Sequence, residues 1–542
     1  MASDLTIFVS VYGDRHAWFL YSFINSYVEN FKNADLVVGH QGVNSEQLEF
    51  LRSISEKVSF IEYNLPADER NSHNERASRN IDFRYQFLQS AEENQTILFV
   101  DADMVFYKSP EMFIKNLGTN FDLVLTRKMG KFPLNAAVII AKKNSRTLEA
   151  FARYRNETKR ILSDKAGIRQ ASSKFGSPDQ YALVKILDIE ERIMDSQECC
   201  TAGKDLLLRL MFIPCDILNQ TESVDIVGTS TLLVHLKTGW HPIVLDGKRF
   251  NKLRPKKEGS QIFSLWLYHR NEGLKKSAIG FLQLDSIDEN FEFSLGSNYR
   301  SGGIFVSEMA IAQYLVQKLD CNFVIESGRY EGYSTEILAK NFPEKTIYSF
   351  ELRQNQVQKE LDQQFKNYSN LTLLYGNSSI AIPRLCKEIA QSNPDQGIAV
   401  LLDGPKGIRA IHLARKVIRS NKNVKLIMIH DMRKTNLGKP SIARYVADLC
   451  FARVLFTDDL TLPHWIKTLD GPVFNYNSVV NNWQPFQKDF ERTSSYGPTL
   501  AIIFPSIWDG LRNSLYKKIL LESIPYSRLQ SILSRVLLRR AF

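Results

Sequence analysis

A chain of 542 residues is longer than one ordinary hydrophobic core can serve, and length alone allows on the order of three or four domain-sized units. With 44% hydrophobic and 24% charged residues, the composition excludes wholesale disorder. The formal charge of +10 is dispersed among nearly as many acids, without zinc-finger spacing or an RNP-like aromatic motif; this argues against nucleic acid as partner and for anionic small ligands and a membrane face.

No apolar run is long enough to cross a bilayer, and Met1-Ala-Ser-Asp-Leu5 lacks the basic-then-apolar layout of a secretion signal, so the expected location is the cytoplasm. The cysteines Cys199, Cys200, Cys215, Cys321, Cys386 and Cys450 form no Cys-x-x-Cys pair and read as reduced thiols. In such a compartment the sequons at Asn94 and Asn219 stay unused.

From Leu5 to about Lys252, strands alternate with amphipathic helical segments, the pattern of a layered α/β sheet. Strands are expected at Leu5–Val11, Ala34–Gly39 and Val58–Tyr63. A helix through Asn80–Leu88 puts Ile81, Tyr85 and Leu88 on one stripe. It leads into the apolar run Thr96–Val100, which closes on Asp101-Ala102-Asp103. Residues i and i+2 of an extended chain face the same side, so both carboxylates emerge together at a strand's carboxyl end. Paired carboxylates suit Mg²⁺ or Mn²⁺ carrying a diphosphate. Read without context, the same triplet is a turn with two solvated aspartates.

These segments resemble nucleotide-sugar-dependent glycosyltransferases of the GT-A fold, of the family 8 type related to glycogenin and bacterial galactosyltransferases. The landmarks are Phe83-Arg84-Tyr85, Leu98-Phe-Val-Asp-Ala-Asp103, Leu134-Asn-Ala-Ala-Val-Ile-Ile140, Ser177-Pro-Asp-Gln-Tyr181 and His235-Leu-Lys-Thr-Gly-Trp240, over roughly residues 5 to 245. The resemblance implies that Asp101 and Asp103 ligate the metal, with Asp101 also near the ribose, and that His235 supplies a third ligand. It implies that Lys237 and Gly239 flank the donor diphosphate and that Arg84 grips phosphate oxygens. Asn135, Asp179 and Gln180 would line the sugar and acceptor pocket. Ala136-Ala137 stand where the family usually shows a glycine. By residue type alone, Arg84 with Arg70, Arg76 and Arg79 reads as a solvated basic face, and Ser177-Pro178-Asp179 as a helix cap.

Between about 247 and 300, charge and turn formers dominate, which marks a domain boundary, although Phe263–His269 is aromatic enough to pack on a neighbour. Periodicity restarts with a helix at Val306–Leu319, a strand at Asn322–Glu326, the turn Ser327-Gly-Arg-Tyr-Glu-Gly332, a helix at Ser334–Lys340 and a strand at Thr346–Phe350 ending in Glu351. This is a βαβ unit with a glycine turn and an acidic residue after the next strand, an arrangement that binds adenosine. Tyr330 occupies the middle glycine position of a dinucleotide turn and Glu331 adds negative charge, so the turn favours S-adenosylmethionine, which has no pyrophosphate.

With Tyr375-Gly-Asn-Ser378, Ala399-Val-Leu-Leu-Asp-Gly-Pro405 and Leu426-Ile-Met-Ile-His-Asp431, the segment 300–505 resembles the class I methyltransferases that act on hydroxyls of sugars or antibiotics. That implies that Glu326 and Gly328 hold the methionine end, that Gly332 is also cofactor-binding, that Glu351 accepts from the ribose, and that Asp403 and Asp431 face the acceptor. Metal-dependent relatives have an acidic pair after the fifth strand. Here one acid of that pair is His430, which leaves metal use open: Asp431 is the candidate ligand, or else His430, with a pKa near neutrality, acts as general base on the acceptor hydroxyl. The plain alternative is a Gly404-Pro405 turn and a strand-ending histidine. The tail beyond 505 is basic and amphipathic, fit to lie on an anionic membrane surface or to dock on its own domain or a partner subunit.

The expected fold class is α/β: a mixed-sheet GT-A domain over 1–250, a connecting segment over 251–300, a Rossmann-like class I methyltransferase domain over 301–505, and the tail 506–542. The expected function is sugar transfer from a UDP- or GDP-sugar to a glycan acceptor with Mn²⁺ or Mg²⁺, joined to S-adenosylmethionine-dependent O-methylation of a sugar hydroxyl. The rival readings are a glycan-binding scaffold with a degenerate second domain, or a glycosyltransferase fused to another nucleotide-binding enzyme. Oligomeric state is left open.

Overall fold

The computed structural model describes residues 5–65, 73–127, 134–174, 176–189, 200–202, 204–220, 230–236, 260–288, 290–294, 304–432, 441–451, 453–460, 462, 463, 465, 466, 469 and 499–505. Two compact units emerge, Met1–Val244 with Asn251–Ser277, and Leu245–Phe250 with Ala278–Phe542. Both are mixed α/β assemblies whose sheets combine parallel and antiparallel pairs.

In the first unit the strands are β1 (Leu5–Tyr12), β2 (Asp35–Gln41), β3 (Val58–Glu62), β4 (Thr96–Asp101), β5 (Met104–Phe106), β6 (Leu123–Arg127), β7 (Leu134–Lys142), β8 (Cys200–Ala202), β9 (Leu208–Pro214) and β10 (Leu233–His235). The main sheet runs β3-β2-β1-β4-β7-β6-β9-β8. β1 to β4 are mutually parallel, and β7 is antiparallel to both β4 and β6. Continuous apolar runs such as Ile97–Val100 are what a strand covered on both faces requires, and these side chains are buried. Helices His73–Ser90, Ser145–Leu162 and Pro178–Leu187 pack together on one face.

A short ribbon sits beside the sheet. β5 pairs antiparallel with β10 in the register Leu233↔Phe106, Val234↔Val105, His235↔Met104. The chain thus leaves β4 through Asp101-Ala102-Asp103, turns, and enters a strand whose partner carries the histidine.

The segment expected as a connection contains the helix Ser260–Leu282. Trp266 is fully buried and meets Phe19 edge-on at 6.0 Å. A Cβ at Gly273 would lie 2.1 Å from the carbonyl oxygen of Tyr21, so only glycine admits this approach to the helix Leu20–Asn30.

The second unit has β11 (Cys321–Ser327), β12 (Thr346–Glu351), β13 (Leu371–Tyr375), β14 (Gly397–Leu402), β15 (Val424–Ile429), β16 (Val454–Phe456) and β17 (Ala501–Ile503), in the order β13-β12-β11-β14-β15-β17-β16. The first five are parallel; β17 is antiparallel to β15 and β16. Strand order reverses between β11 and β14, the switch point at which open α/β sheets collect ligands beyond their carboxyl ends. Among the described residues no helix is long and apolar enough to cross a membrane. The tail 506–542, for which a membrane or docking role is expected, lies outside the described residues.

Candidate functional site

Two clusters of acids and imidazole lie at carboxyl ends of parallel strands, one in each unit. In the first, ligand atoms of Asp101, Asp103 and His235 all fall within 4.8 Å of one another. The ribbon brings them together: the Leu236 N–H donates to the Asp103 carbonyl at 2.9 Å and His235 Nε2 stands 3.3 Å from Asp103 Oδ1. On the far side of the ring, Nδ1 lies 2.9 Å from Asn219 Oδ1. That bond places the proton of a neutral ring on Nδ1, so Nε2 presents a lone pair toward a carboxylate. Two acceptors facing each other are satisfied by a cation, and a mixed carboxylate and imidazole set suits Mn²⁺ or Mg²⁺. The residues fit the expected ion.

Behind the pair, Arg84 is 3% exposed; its Nη2 reaches Asp101 Oδ1 at 2.9 Å and its Nη1 donates to the Ala136 carbonyl at 2.9 Å. Arg84 is therefore held inside the fold, where it orients Asp101. Ser10 donates to Asn80 at 2.5 Å, and Asn80 reaches Asp101 Oδ1 at 3.5 Å, so the end of β1 joins the network. Burial pushes the Asp101 carboxyl up to about 6, against the pull of Arg84 and with added repulsion from Asp103. Asp179 also acts on Asp101 through space, which puts the start of helix Pro178–Leu187 in the same neighbourhood.

Pro178 occupies the first turn, but Ser177 makes no side-chain cap; its hydroxyl accepts from Gln180 Nε2 at 3.0 Å. Asn135 Oδ1 accepts from the Ala137 N–H at 2.9 Å, which fixes the carboxamide against its own strand. Arg79 is also interior, stacked 4.4 Å over the Tyr12 ring, with a bond to Gln41 at 3.0 Å, so it is no solvated face. Lys237 and Gly239 lie outside the described residues, as does Arg70.

In the second unit a pocket of about 540 Å³ opens over the ends of β11, β12, β13 and β14. Gly328, Glu351, Asn377 and Gly404 are in its lining. Gly328 adopts φ +93°, and a Cβ there would fall 2.6 Å from the Gly404 nitrogen, so the turn needs glycine for both conformation and closeness. Glu351 accepts from the Tyr330 N–H at 2.8 Å and from the Leu352 N–H at 2.7 Å and remains at the pocket edge.

Glu326 departs from its expected place. It is fully buried and accepts from the hydroxyls of Ser334, Thr335 and Ser349, so its carboxylate braces β11 against β12 and the following helix rather than lining the pocket. Burial raises its carboxyl and the hydroxyl bonds oppose that. Gly332 is the residue before helix Tyr333–Asn341, with φ +82° and Phe365 at its back, and is likewise not a lining residue.

Asp403, His430 and Asp431 do come together. His430 Nδ1 bonds Asp403 Oδ1, and its Nε2 lies 3.1 Å from Glu308 Oε2. Glu308 is fully buried, fixed by the N–H groups of Phe305 and Thr499. Burial would push the imidazole down, but Glu308 and then Asp403 outweigh it and raise it to about 10. His430 thus stands between two carboxylates, bonded to Asp403 through Nδ1 and with Nε2 beside Glu308, and both favour its charged form.

Lys406, which sequence reasoning passed over, completes the cluster. Its ammonium bonds Asp403 Oδ1, lies 2.9 Å from Asp431 Oδ2 and 3.1 Å from His430 Nδ1. Burial tends to lower it and the two aspartates raise it. Asp431 reaches this position from a left-handed backbone with φ 62°, rare for a side-chain-bearing residue. Asp403, His430 and Asp431, the expected surroundings of a metal held by Asp431, thus share their space with an ammonium that contacts one oxygen of each aspartate. The signal available in the sequence was the spacing Asp403-Gly-Pro-Lys406.

No family model matches the chain, and no curated protein matches it. Among solved structures it is similar to the glycosyltransferase GlyE of Streptococcus pneumoniae TIGR4, at 13% identity and TM-score 0.33 over 76% of this chain and 88% of that one. It is similar to the galactosyltransferase LgtC in complex with donor and acceptor sugar analogues, at 12% identity and TM-score 0.31 over 48% of this chain and 95% of that one. A third is a glycosyltransferase involved in glycosylation of the major capsid of PBCV-1, at 13% identity and TM-score 0.28 over 48% of this chain and 98% of that one.

Proposed function

We propose that the first unit transfers a sugar from a UDP- or GDP-sugar to a glycan acceptor. The observation that carries this reading is the convergence of Asp101, Asp103 and the Asn219-oriented His235 at the carboxyl end of β4. A divalent cation held by these three would supply positive charge to the departing nucleoside diphosphate. Arg84 keeps Asp101 in place, and Asp179 and Gln180 open the neighbouring helix on the side assigned to sugar and acceptor. Lys237 and Gly239 remain assigned to the diphosphate by resemblance alone. The test is release of nucleoside diphosphate from a panel of UDP- and GDP-sugars by the full chain with Mn²⁺. Turnover abolished by EDTA supports the reading, and binding without turnover supports the glycan-binding alternative.

For the second unit we propose S-adenosylmethionine binding and O-methylation of a sugar hydroxyl on the same product. Support comes from the switch-point pocket, the Gly328 turn, the acceptor-only Glu351 at its edge, and the single reversed strand β17 in an otherwise parallel run. Tethering would hold the second pocket at high effective concentration of the first unit's product. Calorimetric titration with S-adenosylmethionine and with NAD separates this reading from another nucleotide-using enzyme. Peripheral membrane contact through the tail and a cytoplasmic location remain expectations of the sequence.

A further inference from the structure

The acidic cluster of the second unit has the donor types of a dication site and already contains a cation. Lys406 follows Asp403 across the Gly404–Pro405 turn, and its ammonium touches Asp403, Asp431 and His430, the side chains whose ligand atoms lie within 4.8 Å of one another. A hard dication bridging the two aspartates would stand within contact distance of the ammonium, where like charges repel most strongly. The ammonium lies on the oxygens of both aspartates, between the two side chains a bridging ion would join.

We propose that Lys406 is a tethered replacement for a metal ion, so that the second unit works without one and, among the described residues, a single dication site is left, in the first unit. The ammonium fixes the two aspartates relative to each other, as a bridging ion would. Half of its side chain is still open to solvent, at 49% exposure, which leaves N–H donors for an oxygen of the ligand. Unlike an ion, it is not removed by chelators and cannot be exchanged. Only the count of one rests on the reading of the first unit; the exclusion of metal from the second does not.

The experiment is Mn²⁺ titration of the full chain, with free Mn²⁺ read by electron paramagnetic resonance. The wild-type protein is expected to bind one ion, Asp103→Asn none, Lys406→Met two, and Lys406→Arg one. A wild-type chain that binds two ions, one of them lost in Asp403→Asn, overturns the proposal. So does a Lys406→Met chain that keeps its native circular dichroism yet gains no site. Should the Met variant not fold, Lys406→Gln is read in the same way. A wild-type chain that binds none while Lys406→Met binds one upholds the proposal and overturns the metal reading of the first unit.

Discussion

The two units gather nearly the same side chains, two aspartates and a histidine, near the end of a parallel strand, and treat them oppositely. In the first, the cation supplied by the fold is a buried guanidinium that reaches a single oxygen of Asp101 and a main-chain carbonyl. The histidine is turned by an amide, which donates no charge. In the second, an ammonium meets both aspartates, and the buried Glu308 and Asp403 outweigh burial and raise the imidazole. The lesson is that a donor set does not define a metal site until the charges behind it are counted.

The sharpest way to break this contrast is Asp103→Asn. It removes a carboxylate charge without changing volume, and nucleoside diphosphate release should fall by about 100- to 1000-fold, the scale of losing one group that stabilises a leaving charge. S-adenosylmethionine binding by calorimetry should be unchanged in the same chain. Loss of both would show that the two units do not behave separately.

A smaller effect is expected at Glu351→Gln, where one acceptor at the pocket edge becomes part donor. Affinity for an adenosine ligand should drop roughly tenfold, as for a bond to a charged group. Sugar-nucleotide turnover should stay at its wild-type level. An unchanged affinity would remove Glu351 from the ribose role.

Weaker still is the stability term at Asp122. Its carboxylate is fully buried and accepts from Arg146 at 2.8 Å and from Arg209 and Asn144, which hold it well below the usual carboxylate range despite burial. A depressed acid contributes stability above its unfolded pKa, near 4, and that contribution is lost as pH falls through and below that value. Asp122→Asn should cost about 1–3 kcal/mol at neutral pH and flatten the acid limb of a urea denaturation series. An acid limb that keeps its slope would assign the acid sensitivity to other carboxylates.

Much of the scaffold could be read from residue pattern because long strands and helices advertise themselves. The run Thr96–Val100 and the strand Gly397–Leu402 are apolar on both faces, and the helices have clear stripes. The ribbon that sets His235 beside Asp103 could not be read this way. Its strands have three residues each, too few for a period of two, and the partners are separated by most of the unit. Lys406 was hidden for a different reason: after Gly404-Pro405 it looks like an ordinary turn lysine, and only folding brings Asp431 to it. Glu308 and Asn219 act from elements far away in sequence, so the charge on one imidazole and the tautomer of the other were invisible. The hydroxyls of Ser334, Thr335 and Ser349 around Glu326 were invisible too, because a residue pattern does not say which side chains meet a buried carboxylate.

The close approach of Gly328 to Gly404 has a mechanical consequence. Both the Asp403 and Gly404 N–H groups donate to the Ser327 carbonyl, and the Ser327 hydroxyl returns to the Gly404 carbonyl. The floor beneath the pocket and the loop that carries Asp403 and Lys406 are therefore riveted as one plate. Whatever rests on residue 328 is held in fixed alignment with whatever the ammonium grasps, and a methyl group added at residue 328 would prise the two apart together.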